Sequence, residues 1–282
     1  MPNIQFTRRR DQARALMLDR GLAAMLICLP ANRYYLSGFE LHDPQPNESS
    51  GYLLLMENGE DVLFTDSRYL EAAKRLWKEG NIHIYSSLAA SSLEINRELS
   101  GKLSQKDKIG FEAKIMNVAF FEIFSKGLQV VAADGMVEEL RVIKDAGQIE
   151  FMRETARLNH RLMEHVPSLL VPGTTETEIA WSIEKFFRDH GASENAFSPI
   201  VAVGPNGALP HAIPGEDRVL EECPVLVDVG ARLNDYNSDQ TRSFWVGSDP
   251  HTEFILALER VKEAQRPAIE AIKPGENSSD IY

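Results

Sequence analysis

The chain has 282 residues, 43% of them hydrophobic, which is enough for two ordinary domains that each bury their own core. Its formal net charge of -12 at pH 7 argues against a nucleic-acid-binding surface, and the basic run Arg8, Arg9 and Arg10 is too isolated to change that. No stretch approaches the roughly 20 apolar residues of a membrane span, and the charged N-terminus lacks the apolar core of a signal peptide.

The two cysteines, Cys28 and Cys223, stand far apart in the sequence, and each lies beside an apolar run. A buried, reduced thiol is the default state for such residues. We therefore expect a soluble protein in a reducing, cytoplasmic setting, with no nucleic-acid or membrane partner.

The first part of the chain alternates helix-like and strand-like segments. A helical pattern stops at Gly21, and a strand is predicted over residues 23–29. Two further strands flank the turn Asn58–Gly59, and an amphipathic helix begins near Ser67. Such alternation predicts an α/β domain. The boundary that we expect near residue 133 divides the chain into domains 1–132 and 133–282.

Two helices are predicted at the start of the second domain. The first is a long helical pattern over residues 140–163. The second has Thr174 or Thr175 as its N-cap, Glu178 in the capping-box position and Gly191 as its C-terminal stop. We expect Ile179, Ile183, Phe186 and Phe187 to form the buried face of this second helix.

A histidine, His211, lies in the loop GPNGALPHAIPG, residues 204–215, just before the strand that carries Asp228. Loops held by a rigid scaffold often carry the groups that handle substrates. An imidazole here could hydrogen-bond a developing oxyanion or pass a proton. The alternative is an ordinary exposed loop histidine.

The stretch PVLVDVGARLNDYNSDQTRSFWVG, residues 224–247, predicts two strands joined by a tight turn. Strands joined this closely pair as an antiparallel hairpin. If the turn is centred between Leu233 and Asn234, Asp228 and Asp239 face each other across the ladder. Directly opposed Cβ atoms sit roughly 4.5 to 5.5 Å apart.

That separation is compatible with two bridged metal ions about 3.5 to 4 Å apart. Two bare carboxylates at this distance repel, so the arrangement favours a bound cation or a shared proton. The alternative is a pair of ordinary turn-flanking aspartates, one of them neutralised by Arg242. A turn centred on Asn234 and Asp235 would also break the pairing unless a bulge restored it.

This hairpin resembles the first metal-ligand stretch of the creatinase, aminopeptidase P and prolidase family of pita-bread enzymes. That stretch has an Asp-x-Gly, then a Tyr, then an Asp-x-Thr-Arg-x-Phe. The matching residues are Asp228, Gly230, Tyr236, Asp239, Thr241, Arg242 and Phe244. The resemblance implies that Asp228 and Asp239 are the two aspartate ligands of a dinuclear metal centre.

Two other segments are similar to the same family. The loop before the hairpin matches at Asn206, Ala208, Leu209, Pro210 and His211. This match implies that His211 stabilises the substrate carbonyl or the tetrahedral intermediate. The first domain matches at Asn32, Tyr35, Leu36, Ser37, Gly38, Phe39, Thr65, Asp66, Ser67, Arg68 and Tyr69. In the family this domain carries no metal; it shapes the substrate entrance and contributes to subunit contacts.

The resemblance implies an α/β N-terminal domain followed by an α+β pita-bread catalytic domain. It implies hydrolysis of the amide bond between an N-terminal residue and proline, so the partner is a peptide with proline in second position. Two divalent metal ions would activate a water, with manganese the first choice and cobalt or zinc as alternatives. A homodimer is the expected assembly.

The main departure from the family is that the sequence stops before a histidine ligand and two glutamate ligands, one of which the family uses as general base. We therefore expect a fragment of a longer product. Two carboxylates cannot saturate a divalent ion that takes four to six ligands, so we expect this chain alone to bind metal weakly and to be inactive. Alternatives are an inactive peptide- or protein-binding module and a metal-free creatinase-like hydrolase.

Overall fold

The protein is described from a computed structural model that covers residues 2–43, 45, 48–78 and 80–281. It has two compact units, Met1–Ile143 and Lys144–Tyr282. Among the helices of these residues, none combines the length and the apolarity that crossing a membrane requires.

The first unit is built on a six-stranded mixed sheet. The strands are β1 (Leu22–Ile27), β2 (Tyr52–Met56), β3 (Val62–Thr65), β4 (Asn81–Ile84), β5 (Lys108–Phe111) and β6 (Gln129–Ala132), in the order β4-β3-β2-β1-β5-β6. β1, β5 and β6 run parallel, as do β3 and β4, whereas β2 is antiparallel to both of its neighbours. The predicted hairpin around Asn58–Gly59 is the β2–β3 pair, so that prediction is confirmed.

Helices cover both faces of this sheet. They are α1 (Pro2–Asp19), α2 (Pro30–Ser37), α3 (Leu70–Leu76), α4 (Ser91–Lys102), α5 (Val118–Phe124) and α6 (Met136–Val142). Along β1, Met25 and Ile27 join an apolar cluster with α1, α2, α3 and α6, whereas Ala24 and Leu26 join a second cluster with α4 and α5. Because successive side chains of a strand point to opposite faces, both faces are buried. The predicted α/β class is confirmed.

The second unit combines helices with two antiparallel three-stranded sheets. Its helices are α7 (Ala146–His165), α8 (Glu176–Asp189), α9 (Thr252–Ala271) and α10 (Ser278–Ile281). One sheet has the order β11 (Tyr236–Asn237), β10 (Ala231–Leu233), β7 (Glu194–Asn195). The other has the order β12 (Gln240–Val246), β9 (Cys223–Val229), β8 (Ile200–Val203). This is the α+β organisation that the resemblance implies.

The long helical pattern over residues 140–163 is two helices, not one. α6 ends at Val142, and α7 begins after Asp145, whose side chain accepts from the backbone N–H of Gln148 in a capping box. Met136 and Val137 of α6 are buried in the core of the first unit. The division between the units therefore follows Ile143 rather than residue 132, where the sequence placed it.

The core of the second unit lies on one face of its sheets. Val225, Val227 and Val229 of β9 are fully buried against α7 and α8, whereas Leu226 and Asp228 are half-buried on the opposite face. Helix α8 begins with Thr175 as N-cap and Glu178 in a capping box, as predicted. The alternation along β9 therefore places Asp228 on the face away from the core.

Gly230 lies between β9 and β10, where its backbone passes very close to that of Ser238. A Cβ at this position would lie 2.0 Å from the carbonyl oxygen of Ser238 and 2.8 Å from the ring of Phe197. A backbone oxygen cannot move away as a flexible side chain can. Only glycine therefore fits here, and the hairpin can pass from one sheet to the other without separating its strands.

Replacing Gly230 with alanine should lower the free energy of unfolding by more than about 3 kcal/mol, because the new methyl group overlaps backbone atoms. Urea denaturation followed by circular dichroism measures this change. Gly207→Ala is the matched control, since a Cβ there meets nothing closer than 3.8 Å. Equal unfolding midpoints for the two variants would show that the close approach at Gly230 imposes no constraint.

Candidate active site

The turn of the hairpin is centred on Asn234 and Asp235. Leu233 pairs with Tyr236, and both turn residues have positive φ, 52° and 62°. Positive φ at both central positions is the requirement of a type I′ turn, whose twist suits a hairpin, and Asn and Asp tolerate this backbone best after glycine. The predicted centre between Leu233 and Asn234 is therefore wrong, and the turn lies one residue later.

This turn changes which residues face each other. In the β9–β12 ladder Asp228 pairs with Thr241, not with Asp239. The backbone N–H of Ser238 donates to the carbonyl of Ala231 at 2.9 Å, so the same register runs through the bend and no bulge restores the predicted pairing. The direct opposition of Asp228 and Asp239 is thus corrected by the structure.

Asp239 is instead a diagonal neighbour of Asp228. It lies two residues before Thr241, and residues two apart in an extended segment share a face. Diagonal partners are about 7–8 Å apart between Cα atoms, farther than directly opposed ones. The corrected register therefore relieves the direct repulsion between the two carboxylates.

The hydrogen bond from Thr241 orients Asp228. Its Oγ1 donates to Asp228 Oδ1 at 2.7 Å, which leaves Oδ2 of this half-buried carboxylate available to another partner. Asp239 is exposed. The guanidinium of Arg242 donates to the carbonyl oxygen of Thr241 at 2.7 Å, and among the described residues it forms no ion pair with either aspartate. Arg242 therefore does not neutralise the charge of either carboxylate, as the alternative interpretation required.

His211 is an exposed side chain in the loop that follows β8. The loop starts with a 3-10 helix, Gly204–Ala208, that lies against β9, where a Cβ on Gly207 would be 3.8 Å from the Cβ of Leu226. Leu226 and Asp228 share one face of β9. The loop therefore begins on the face of the sheet that carries Asp228.

The donor set suits a hard divalent cation but is incomplete. Asp228 and Asp239 offer carboxylate oxygens, the ligands preferred by Mg²⁺- and Mn²⁺-type ions. Among the residues that the structure describes, no group of three or more His, Cys, Asp and Glu side chains is placed to hold a metal ion. These two residues thus fit part of a coordination sphere of four to six ligands.

Comparison with known proteins settles the family. Residues 150–282 match metallopeptidase family M24, and residues 9–143 match the creatinase/prolidase N-terminal domain. The chain belongs to the creatinase, aminopeptidase P and prolidase family of metallopeptidases. Members of this peptidase family use divalent metal ions. The resemblance drawn from the hairpin and loop residues is thereby confirmed.

Individual relatives agree with this assignment. An uncharacterized peptidase from Staphylococcus aureus (strain bovine RF122 / ET3-1) is 31% identical over 261 residues, which cover 92% of this chain and 71% of the relative. The structure of an Xaa-Pro dipeptidase from Bacillus anthracis superposes with a TM-score of 0.86 at 26% identity, covering 98% of this chain and 75% of that one. The prolidase from Pyrococcus horikoshii OT3 superposes with a TM-score of 0.84 at 26% identity, and the match covers 97% of this chain and 75% of that one.

Two features of the site were missed by reasoning from the sequence. One is the hydrogen bond from Thr241 to Asp228, which the Asn-Asp dipeptide would have indicated had it been read as a type I′ turn. The other is the contact of Glu176, at the start of α8, with the loop that carries His211. No local pattern signals that contact, because its partners lie 27 to 39 residues further along the chain.

Replacing Thr241 with valine should weaken binding of Mn²⁺ by about tenfold or more, because groups that orient a metal ligand typically contribute this much to affinity. Broadening of amide NMR signals by the paramagnetic ion during a titration measures the affinity.

Ser243→Ala is the matched control for that titration. Ser243 is also an exposed hydroxyl residue of β12, two positions along, but it pairs with Leu226 instead of a carboxylate. The control should bind as the wild type does. Unchanged affinity in Thr241→Val would mean that the hydroxyl does not orient a ligand.

Proposed function

We propose that this protein is a metal-dependent peptidase that hydrolyses the bond between an N-terminal residue and proline. The observation that supports it most directly is the pair of carboxylates, Asp228 held by Thr241 and Asp239 diagonal to it, at one sheet edge of a fold shared with Xaa-Pro dipeptidases. Both lie in the part of the chain that matches metallopeptidase family M24. The chain covers 71% of the peptidase from Staphylococcus aureus and 75% of the Xaa-Pro dipeptidase from Bacillus anthracis.

The residues have distinct roles in this proposal. Asp228 and Asp239 are ligands for two divalent metal ions. Manganese is the first choice of metal, and cobalt and zinc are the alternatives. When bound, such ions polarise a carbonyl and lower the pKa of a water. Thr241 fixes the orientation of Asp228, which leaves Oδ2 for coordination.

His211 is the catalytic residue on the substrate side. Its exposed imidazole can donate a hydrogen bond to the carbonyl oxygen of the bond to be cleaved, at the position where negative charge develops. The loop that carries it starts on the Asp228 face of β9, which is consistent with a shared substrate. The substrate is a peptide with proline in second position, and the working form is a cytoplasmic homodimer.

A second candidate is a non-catalytic pita-bread module that binds peptides or proteins. It is favoured by one observation: among the described residues, no group of three or more His, Cys, Asp and Glu side chains is placed to hold a metal ion. A metal-free creatinase-like hydrolase is less consistent with the chain, because both aspartates of the metal-ligand motif are present.

An assay on a peptide with proline in second position, with Mn²⁺ added, tests the proposal. Asp228→Asn and Asp239→Asn should each lower kcat at least a hundredfold, because each removes a charged metal ligand. Asp189→Asn makes the same change on an exposed residue that pairs with Lys185, and it should leave turnover unchanged.

The assay is run on protein from its native source, whose intact mass is measured in parallel. Metal-dependent turnover by a species well above 31.6 kDa would support the peptidase proposal and assign this chain to a longer product. A mass near 31.6 kDa without turnover would contradict the proposal and favour the binding module.

The 282-residue chain by itself should bind Mn²⁺ weakly and turn over no substrate, because two carboxylates leave most of each coordination sphere to water. Isothermal titration calorimetry with MnCl₂ measures this affinity. Two tight sites in that titration would show that the described residues suffice for the metal centre.

A further inference from the structure

Glu176, the first residue of α8, is a carboxylate buried to 1% exposure. Its Oε1 accepts from the backbone N–H of Val203 at 2.7 Å and from Nδ2 of Asn206 at 2.9 Å. Its Oε2 accepts from the backbone N–H of Gly215 at 2.9 Å. Burying a carboxylate is costly unless it is well hydrogen-bonded, and here both oxygens are engaged.

The donors to Glu176 bracket the loop that carries His211. Val203 ends β8 immediately before the loop, and Gly215 closes it. One side chain therefore ties together the two ends of this segment. His211 lies between the two anchors, four residues before Gly215.

Neighbouring contacts tie the same loop end to the start of α8. The hydroxyl of Thr177 donates to the carbonyl of Gly215 at 2.8 Å, and the backbone N–H of Glu176 donates to the carbonyl of Asp217 at 3.0 Å. The Nδ2 of Asn206 also donates to Oδ2 of Asp217 at 2.8 Å. The first turn of α8 thus serves as the rigid support of the loop.

An ionised carboxylate suits this position better than its amide. The three donors need acceptors on both oxygens, and a glutamine would present an NH₂ group to one of them. Losing an acceptor would leave a buried backbone N–H without a partner, which costs more than the hydrogen bond itself contributes. The N-terminus of α8 adds favourable electrostatics for a negative charge.

We propose that Glu176 is a positioning residue that fixes the loop of residues 204–215 and thereby sets the placement of His211. The inference rests on the proposed role of His211 for its catalytic consequence. Its structural part stands on the hydrogen bonds alone and is tested separately.

The first experiment measures amide hydrogen exchange and ring signals of His211 by NMR in this chain. Glu176→Gln should raise the exchange rate of the Gly215 amide at least tenfold and shift the His211 signals, because one end of the loop is released. Asn206→Ala removes a contact from the loop side and should shift the same signals, which gives a second measurement should Glu176→Gln fail to fold.

Glu178→Gln is the matched control. Glu178 lies two residues further along the same helical turn, but it is exposed and its carboxylate accepts from the backbone N–H of Thr175 in the capping box. It should weaken the start of α8 without changing the loop. The positioning role would be overturned if Glu176→Gln left the Gly215 exchange rate and the His211 ring signals unchanged, or if Glu178→Gln altered them equally.

The second experiment uses the protein form that turns over the Xaa-Pro peptide. Glu176→Gln should lower kcat at least tenfold with KM changed less than twofold, and it should have no further effect in the His211→Ala background. An equal loss in both backgrounds would overturn the link to His211. If His211→Ala alone leaves kcat unchanged, the proposed role of His211 fails, while the exchange experiment still decides whether Glu176 fixes the loop.

Discussion

The register of the hairpin formed by β9 to β12 is the constraint on which the candidate site depends. It is set by the left-handed backbone at Asn234 and Asp235, and the close approach at Gly230 carries it from one sheet to the other. Side chains alternate along a strand, so Asp228 lies on the face of β9 away from the core. The register then places Thr241 opposite Asp228, and Thr241 donates a hydrogen bond to it. A shift in register would change every one of these contacts.

The second requirement of the site is that its loop be held by buried polar groups. A loop rich in glycine and proline has little apolar surface with which to fix itself, and Leu209 and Ile213 remain exposed. Hydrogen bonds donated to a buried carboxylate are directional, so Glu176 can define a loop geometry that non-directional apolar contacts would not fix. The strand register fixes the surroundings of Asp228, and the hydrogen bonds to Glu176 fix the loop that carries His211.

The register also affects the electrostatics of the two carboxylates. Direct opposition would place like charges at the shortest cross-strand distance, whereas the diagonal arrangement has less repulsion. The hydrogen bond from Thr241 engages one oxygen of Asp228 and leaves the other free of a protein partner among the described residues. This arrangement fits the chemistry of the metallopeptidase family to which the chain belongs.

The sequence by itself determined most local elements, the α/β class of the first unit, the capping box at the start of α8 and, through short motifs, the family and the α+β class that it implies. Those signals come from residues a few positions apart, where helical and strand periodicities act. The Asn234–Asp235 turn that sets Thr241 opposite Asp228 and the capping box of Asp145 that divides the predicted long helix are also local signals in the sequence. Only the tertiary structure decided that Glu176 holds both ends of the His211 loop, because that contact depends on hydrogen bonds between segments 27 to 39 residues apart, which a linear pattern does not encode.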